Sequence, residues 1–406
     1  MNEIKNVSTI DKNNQRDFSL LEGMDIYLPH VDGVITCMHQ YCTHATEQGV
    51  NVTAIAPYDP GQYDEKLCYP VIRCRSLFLP FLGYRYCRAT KDKKFYKNVM
   101  AKDYDIVHVN SPFNMADFAI KVARKKGIPA VATFHSNMRP IFKHIVKFNW
   151  IAEKMVAHLG KTYNKYDEVF VCSPLVAEQC RSFGYTGKIS YLPFGTKLPK
   201  CDQKQENIEK ANAKLGIKED ELVFIYVGRL ERLKRIDFIL DSLKLFKDKG
   251  YSFKFFVVGK GQELKRLKKR CKKLGLTENQ VVFTGFVAEE DFPLLYSRAD
   301  LLLFPSLYDN FGLVKVEAAS FDTPGLFIEG SCAGYGVTHG VNGFLSKDTT
   351  FDFANAIENA VKDKAKLREI GVNAGKDLYI SWEDCTKQFV NRLKEITERY
   401  KNENKK

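Results

Sequence analysis

Several protein classes leave clear marks in a sequence, and most of those marks are missing here. Among eleven cysteines in 406 residues there is no C-x-x-C pair, so the spacing that builds zinc modules or dithiol redox sites is absent. The eight histidines show no ligand spacing; His39 and His44 are five apart, off the i, i+4 face of a zinc helix. No metal is expected. No apolar run approaches about eighteen residues, which argues against a membrane-spanning helix. Low-complexity tracts and short internal repeats are also lacking. The first residues, MNEIKNVSTIDKNNQRD, are polar and have no signal-peptide centre. A reduced, cytoplasmic setting is expected, with the cysteines acting mostly as small buried apolar side chains. What the chain has in excess is positive charge, 62 Lys and Arg against 49 Asp and Glu, a net +13. Such charge favours nucleic acid, anionic membrane or phosphorylated substrates. No RNA or DNA motif accompanies it, so nucleic acid is not an expected partner.

Strand-like apolar runs alternate with longer amphipathic stretches, the pattern of βαβ units and parallel sheets. In the first half the runs are FSLL, VNVTAIAP, DIVHVN, AVATFH, EVFVCS and ISYLP; in the second they are LVFIYVG, FKFFVVG, VVFTGF, LLLFPS and GLFIE. A polar, linker-like segment with a short helix separates them. The expected organisation is a polar extension (1–17), two doubly wound α/β domains (18–197 and 198–378) and a C-terminal helix with a charged tail (379–406). In doubly wound sheets ligands bind at the carboxyl ends of strands. Two such sheets facing each other would enclose a cleft.

The residues able to do chemistry sit at those strand ends. In LVFIYVGRLERLKRIDFIL the strand stops at Gly228, and Ile236, Ile239, Leu240 and Leu243 repeat with helical period. Arg229 and Lys234 fall in the turn between, two cations suited to a diphosphate. VVGKGQE supplies only G-x-G, which fails as a dinucleotide fingerprint. Its helix is covered by Lys and Arg and reads as a solvated outer face. In FPSLYDNFGLVKVEAAS, Asp309 precedes Phe311, Gly312 and Leu313, whose amides open a helix that carries Glu317 eight positions after Asp309. Carboxylates are acceptors for sugar hydroxyls. A diphosphate site beside a diol site describes a nucleotide sugar. Asp103-Tyr104-Asp105 is a D-x-D, but it leads directly into a strand and reads as a turn.

VGRLERLKRIDFIL, VVGKGQE, VVFTGFV, FPSLYDNFGLVKVEA and THGVNGFL, in that order over residues 222–346, resemble the retaining glycosyltransferases of family 4. IYLPHVDGVITC, IVHVNSPF and GIPAVATFHSN most resemble the branch that glucosylates diacylglycerol. The resemblance implies a GT-B fold, two Rossmann-like domains facing a cleft with the C-terminal helix crossing back to the first. It implies transfer of a hexose, glucose by default, from a UDP-sugar without a cofactor or metal. Arg229 and Lys234 would hold the diphosphate, Glu317 the ribose and Asp309 the sugar. Gly33 and Gly228 would let backbone approach the donor, residues near Val287 would meet the base, and His135 would stand beside the sugar. The family usually has Glu where this chain has Asp309, one methylene shorter, a change expected to alter reach or sugar preference.

The acceptor is expected to be a lipid or glycan at the cytoplasmic membrane face. RPIFKHIVKFNWIAEKMVAHLGK reads as a basic amphipathic stretch, with Phe142, Lys143, Lys147, Phe148 and Trp150 as candidate membrane contacts. The alternatives are a polysaccharide or teichoic-acid glycosyltransferase, a nucleotide-sugar epimerase, or a donor-binding partner subunit without catalysis.

Overall fold

The computed structural model describes residues 17–30, 32–79 and 84–404. The polar extension expected at residues 1–17 lies outside them apart from Asp17. In chain order the strands are β1 (Ser19–Gly23), β2 (Asn51–Pro57), β3 (Val71–Cys74), β4 (Ser76–Leu79), β5 (Tyr84–Cys87), β6 (Ile106–Val109), β7 (Ala130–Thr133), β8 (Glu168–Val171) and β9 (Ile189–Tyr191). The second half adds β10 (Leu222–Val227), β11 (Phe253–Val258), β12 (Val281–Gly285), β13 (Leu301–Phe304), β14 (Gly325–Ile328) and β15 (Phe344–Ser346).

One sheet has the order β3-β2-β1-β6-β7-β8-β9 and the other β12-β11-β10-β13-β14-β15, with parallel pairing throughout both. Their central strands are buried on both faces because helices cover both sides. Thus β6, β7 and β13 are buried along their whole length. In each sheet the strand order reverses beside the first strand, between β1 and β6 and between β10 and β13. Those two reversals open crevices for ligands.

Every strand run read from the sequence forms a strand. The elements missed are β3, β15 and the antiparallel hairpin β4–β5. They are three or four residues long, and β3 and β15 are edge strands, so burial imposes little apolar pattern on them.

The helix Trp382–Glu403 belongs by sequence to the second half but packs on the first. Its Trp382, Phe389, Leu393 and Ile396 join the core of the N-terminal lobe, and Tyr41 stacks on Phe389 at 4.4 Å. Arg392 and Arg399 reach Glu168, which is wholly buried in β8. Burial alone would push this carboxyl up, but hydrogen bonds from Ser190, Arg399 and Arg392 outweigh it and hold its pKa below the usual glutamate range. Just before this helix, Ser381 bridges to Thr196 on the first crossing between the lobes, with Thr196 N donating to Ile380 O at 3.1 Å. The two lobes are therefore tied by two crossing segments and hydrophobic contact.

Candidate active site

A cavity of about 360 Å³ lies between the lobes, at the carboxyl ends of strands from both sheets. From the C-terminal lobe it is lined by Gly228 and Arg229 after β10, by Lys234, and by Asp309 to Leu313 after β13. From the N-terminal lobe come Asp32 and Gly33 after β1, His135 after β7 and Phe194 after β9. Residues up to 282 positions apart thus share one space (32 against 314).

Local sequence explains how each group is presented. Gly228 and Gly259 end neighbouring strands and press together; a Cβ on Gly259 would fall 2.0 Å from the Gly228 carbonyl oxygen. This tight pairing leaves room above the strand ends. After Gly228 the chain makes a 3-10 turn at Arg232–Lys234 before the helix Ile236–Asp248 begins. Lys234 therefore leans back toward β13, and its Nζ meets Asp309 Oδ1 at 2.5 Å. Arg229 stays at the mouth, 62% exposed and paired with Glu231 at 2.9 Å. The other oxygen of Asp309, Oδ2, is buried with no partner among the described residues. Gly312 takes φ +70°, and no side chain caps the helix Leu313–Ala319 that follows. Across the cleft Asp32 does cap its helix, Oδ1 accepting from Val34 N and Ile35 N at 2.8 Å each. A Cβ on Gly33 would lie 3.8 Å from Leu313 Cδ1, so the two helix starts face each other.

His135 is held on three sides. Its Nε2 is 2.7 Å from Asn110 Oδ1, its ring stacks on Phe194 at 5.3 Å, and its carbonyl accepts from Asn310 Nδ2 at 2.9 Å. Burial, and then the nearby His108, push its pKa down to about 3. At neutral pH it is an uncharged imidazole and serves as a polar contact, not as a cation. Phe194 also meets Phe311 edge-on at 5.3 Å, which continues the contact across the lobes.

Not every expected residue lines this cavity. Glu317 lies one turn into the helix, half-buried and not among the residues lining the cavity, and Tyr296 Oη donates to its Oε2 at 2.7 Å. Burial raises its pKa, and the Tyr296 hydrogen bond and the charge of Lys197 offset this only in part. Val287 packs on the core of the C-terminal lobe beside the strongly exposed Phe286 and is likewise outside the cavity wall.

The basic amphipathic stretch needs correction. It forms two helices, Arg139–Ile145 and Asn149–Tyr163, with a break between. Phe142 is not a surface contact; it is 6% exposed and packed in the N-terminal core, because the short first helix turns that face inward. The outward apolar groups are Ile141, Ile145, Phe148 and Trp150. Lys147 sits over the ring of Phe148 and Lys154 over that of Trp150, while Lys143 pairs with Glu153 at 3.2 Å. Among the described residues no helix is long and apolar enough to cross a membrane.

Sequence reading missed Glu22, Asn110, Phe194 and Asn310. A signal existed for Glu22, a single acid inside an otherwise apolar strand. Nothing local singles out the others.

Two family models match this chain. Glycosyltransferase Family 4 covers residues 31–198, and Glycosyl transferases group 1 covers residues 207–377. The chain belongs to the family 4 glycosyltransferases. Its relatives include alpha-monoglucosyldiacylglycerol synthases from Streptococcus pneumoniae and Acholeplasma laidlawii. Each is 27% identical over 74% of this chain, covering 68% and 77% of the relative. Among solved structures, Anabaena HepE in complex with UDP superimposes with a TM-score of 0.76 at 22% identity, over 93% of this chain and all of that one. HepE with UDP-glucose gives 0.74 at 21% identity, over 93% and 99%. These likenesses show the GT-B fold, and the family makes this glycosyltransferase a transferase.

Proposed function

We propose that this glycosyltransferase moves a hexose, glucose by default, from a UDP-sugar to a lipid acceptor of diacylglycerol type at a membrane surface, with retained anomeric configuration and without a metal. The observation that carries the reading is the meeting of Arg229, Lys234, Asp309 and His135 in one inter-lobe cavity. The cations suit a diphosphate, and the unpartnered Asp309 Oδ2 suits a sugar hydroxyl, since a buried acceptor without a donor is costly. The names of the Streptococcus and Acholeplasma relatives support a glucosyl-diacylglycerol product, and the UDP and UDP-glucose in the HepE structures support the donor.

In the reaction the bond between the anomeric carbon and the phosphate oxygen breaks, and its electron pair goes to the phosphate. The acceptor hydroxyl oxygen bonds the anomeric carbon from the same face, and its proton passes to the departing phosphate. Arg229 and Lys234 stabilise the charge that develops there, a contribution of about 3 kcal/mol each by analogy with oxyanion-site donors. Lys234 must share its hold on Asp309 with the phosphate. Asp309 and His135, both uninvolved in proton transfer, orient the sugar. The exposed Ile141, Ile145, Phe148 and Trp150, interleaved with Lys143, Lys147 and Lys154, form the face that would rest on an anionic bilayer on the cytoplasmic side.

The test is incubation with a panel of labelled nucleotide sugars and a membrane lipid extract, in the presence of chelator, with product identification. An α-linked glucosyl lipid formed from UDP-glucose supports the proposal. Transfer to a soluble glycan only, inversion of configuration, or loss of activity with chelator would overturn the corresponding part.

A further inference from the structure

We propose that Glu22 and Asn110 are positioning residues for His135. Acting in series, they hold its imidazole with the proton on Nε2 and the bare Nδ1 lone pair open to the donor cavity, where it accepts a hydrogen bond from a hydroxyl of the transferred sugar. The inference rests on the glycosyltransferase reading above and deepens it, because it assigns the hydrogen-bonding polarity of one wall of the sugar site.

Neighbouring strands build the network. Glu22 in β1 is in register with His108 in β6, and Asn110 and His135 follow the ends of β6 and β7. Glu22 and His108 are wholly buried, and Asn110 is 3% exposed. Polar groups so enclosed are costly unless hydrogen-bonded, and Glu22 meets its partners through Oε1, its Oε2 having none among the described residues. Glu22 Oε1 lies 2.7 Å from His108 Nδ1 and accepts from Asn110 Nδ2 at 2.5 Å; His108 Nε2 is 2.7 Å from Thr133 Oγ1.

The directions of these bonds follow from chemistry. A carboxylate oxygen only accepts, so the groups facing Oε1 must both donate. Asn110 therefore turns its amino group to Glu22, which leaves its carbonyl oxygen facing His135 Nε2 at 2.7 Å. That oxygen also only accepts, so Nε2 must carry the proton. A neutral imidazole has a single N–H. With the pKa pushed to about 3, chiefly by burial, no second proton is bound at neutral pH. Nδ1 is then a lone pair.

The ring cannot easily reverse this arrangement. Rotating it would set a C–H against Asn110 Oδ1 and lose the bond, and stacking on Phe194 restricts the ring plane. None of the described residues bonds Nδ1, and His135 lines the cavity that holds Arg229, Lys234 and Asp309. A lone pair there favours a hydroxyl that donates. It disfavours a carboxylate, which would repel it, and a deoxy position, which would leave it unpaired.

The test has two readouts on the full chain. In long-range ¹H–¹⁵N spectra with labelled histidine, His135 is expected as the Nε2–H tautomer, its signal assigned by loss in His135→Ala. This needs no variant of the network to fold and no turnover, so it stands or falls apart from the proposed reaction. Glu22→Gln, which can both donate and accept, is expected to yield a mixture of tautomers. The second readout is a double-mutant cycle. Asn110→Ala is expected to lower kcat/KM about tenfold in the natural chain and by less than about twofold in His135→Ala. An Nδ1–H tautomer in the natural chain would overturn the proposal. So would an Asn110→Ala loss of the same size in both backgrounds, since Asn110 would then act on the fold and not through His135.

Discussion

The two lobes share a topology yet bring opposite chemistry to the cleft. The C-terminal lobe contributes charge: Arg229, Lys234 and Asp309 all follow strand ends within one sheet. The N-terminal lobe contributes a mostly neutral wall in His135, Gly33 and Phe194; the charged group it brings to the lining, Asp32, turns a carboxylate oxygen to the amides of its own helix, while Glu22 is buried and Lys147 and Lys154 lie over outer aromatic rings. The contrast teaches that a parallel sheet fixes where a ligand sits, while the side chains at its switch point decide what is done there.

This comparison can be broken most directly at the cations. Arg229→Ala and Lys234→Ala are each expected to lower kcat/KM by about 10²- to 10³-fold with UDP-sugar as donor, the size of loss seen when a preorganised donor to a developing anion is removed. Steady-state rates near the natural enzyme's would show that the C-terminal lobe does not hold the diphosphate.

The next largest effect concerns how the lobes are joined. Removing both Arg392 and Arg399 leaves the buried Glu168 with only the more distant Lys188, at 3.8 Å, an expected loss of about 3 kcal/mol in denaturant unfolding. The pH dependence follows from the same group. Its folded pKa is depressed, so its stabilisation is present above the ordinary glutamate range and is lost as pH falls through the lower, folded value. The double variant should therefore show a flatter acid limb.

A smaller effect tests the outer face of the N-terminal lobe. Phe148→Ser with Trp150→Ser should weaken co-sedimentation with anionic vesicles by about tenfold or more and leave donor binding in solution unchanged. Equal binding of both proteins to vesicles at low salt would remove this face from the membrane contact.

The smallest expected effect is at Glu317, and it sharpens the boundary of the site. Glu317→Gln should raise the donor KM about fivefold with little change in kcat, if this group holds the ribose. The same change should stabilise the fold at neutral pH. The Glu317 folded pKa is raised, so the natural chain is most stable below the unfolded value and loses that contribution as pH rises through the folded one. A thermal melt at pH 7 that shows no gain in Tm would contradict the burial penalty assigned to this carboxyl.

Much of the C-terminal lobe could be read directly from the residues. The strands β10 to β14 are apolar runs four to six residues long, and Arg229, Asp309 and Lys234 lie two, five and seven residues past a strand end. The period-two and period-3.6 patterns are local, and so is the position of a side chain in a strand-to-helix turn. The same reasoning failed at Phe142, where helical period showed an amphipathic stretch but not which face turned inward, and the break after Ile145 reset that face. It also treated Lys234 and Asp309 as separate parts of the site, although they touch.

The order of residues alone was enough to settle two α/β halves, their strand ends and the cationic turn, because each of these depends on neighbours a few positions away. Folding in three dimensions decided which groups share the cleft, among them His135, Phe194 and Asn310, and which stand behind it, as Glu22 and Asn110 do; they meet only because adjacent strands and facing lobes bring them together. Such contacts leave no periodic trace along the chain, since the distance between the partners is set by sheet order and lobe packing, not by sequence spacing.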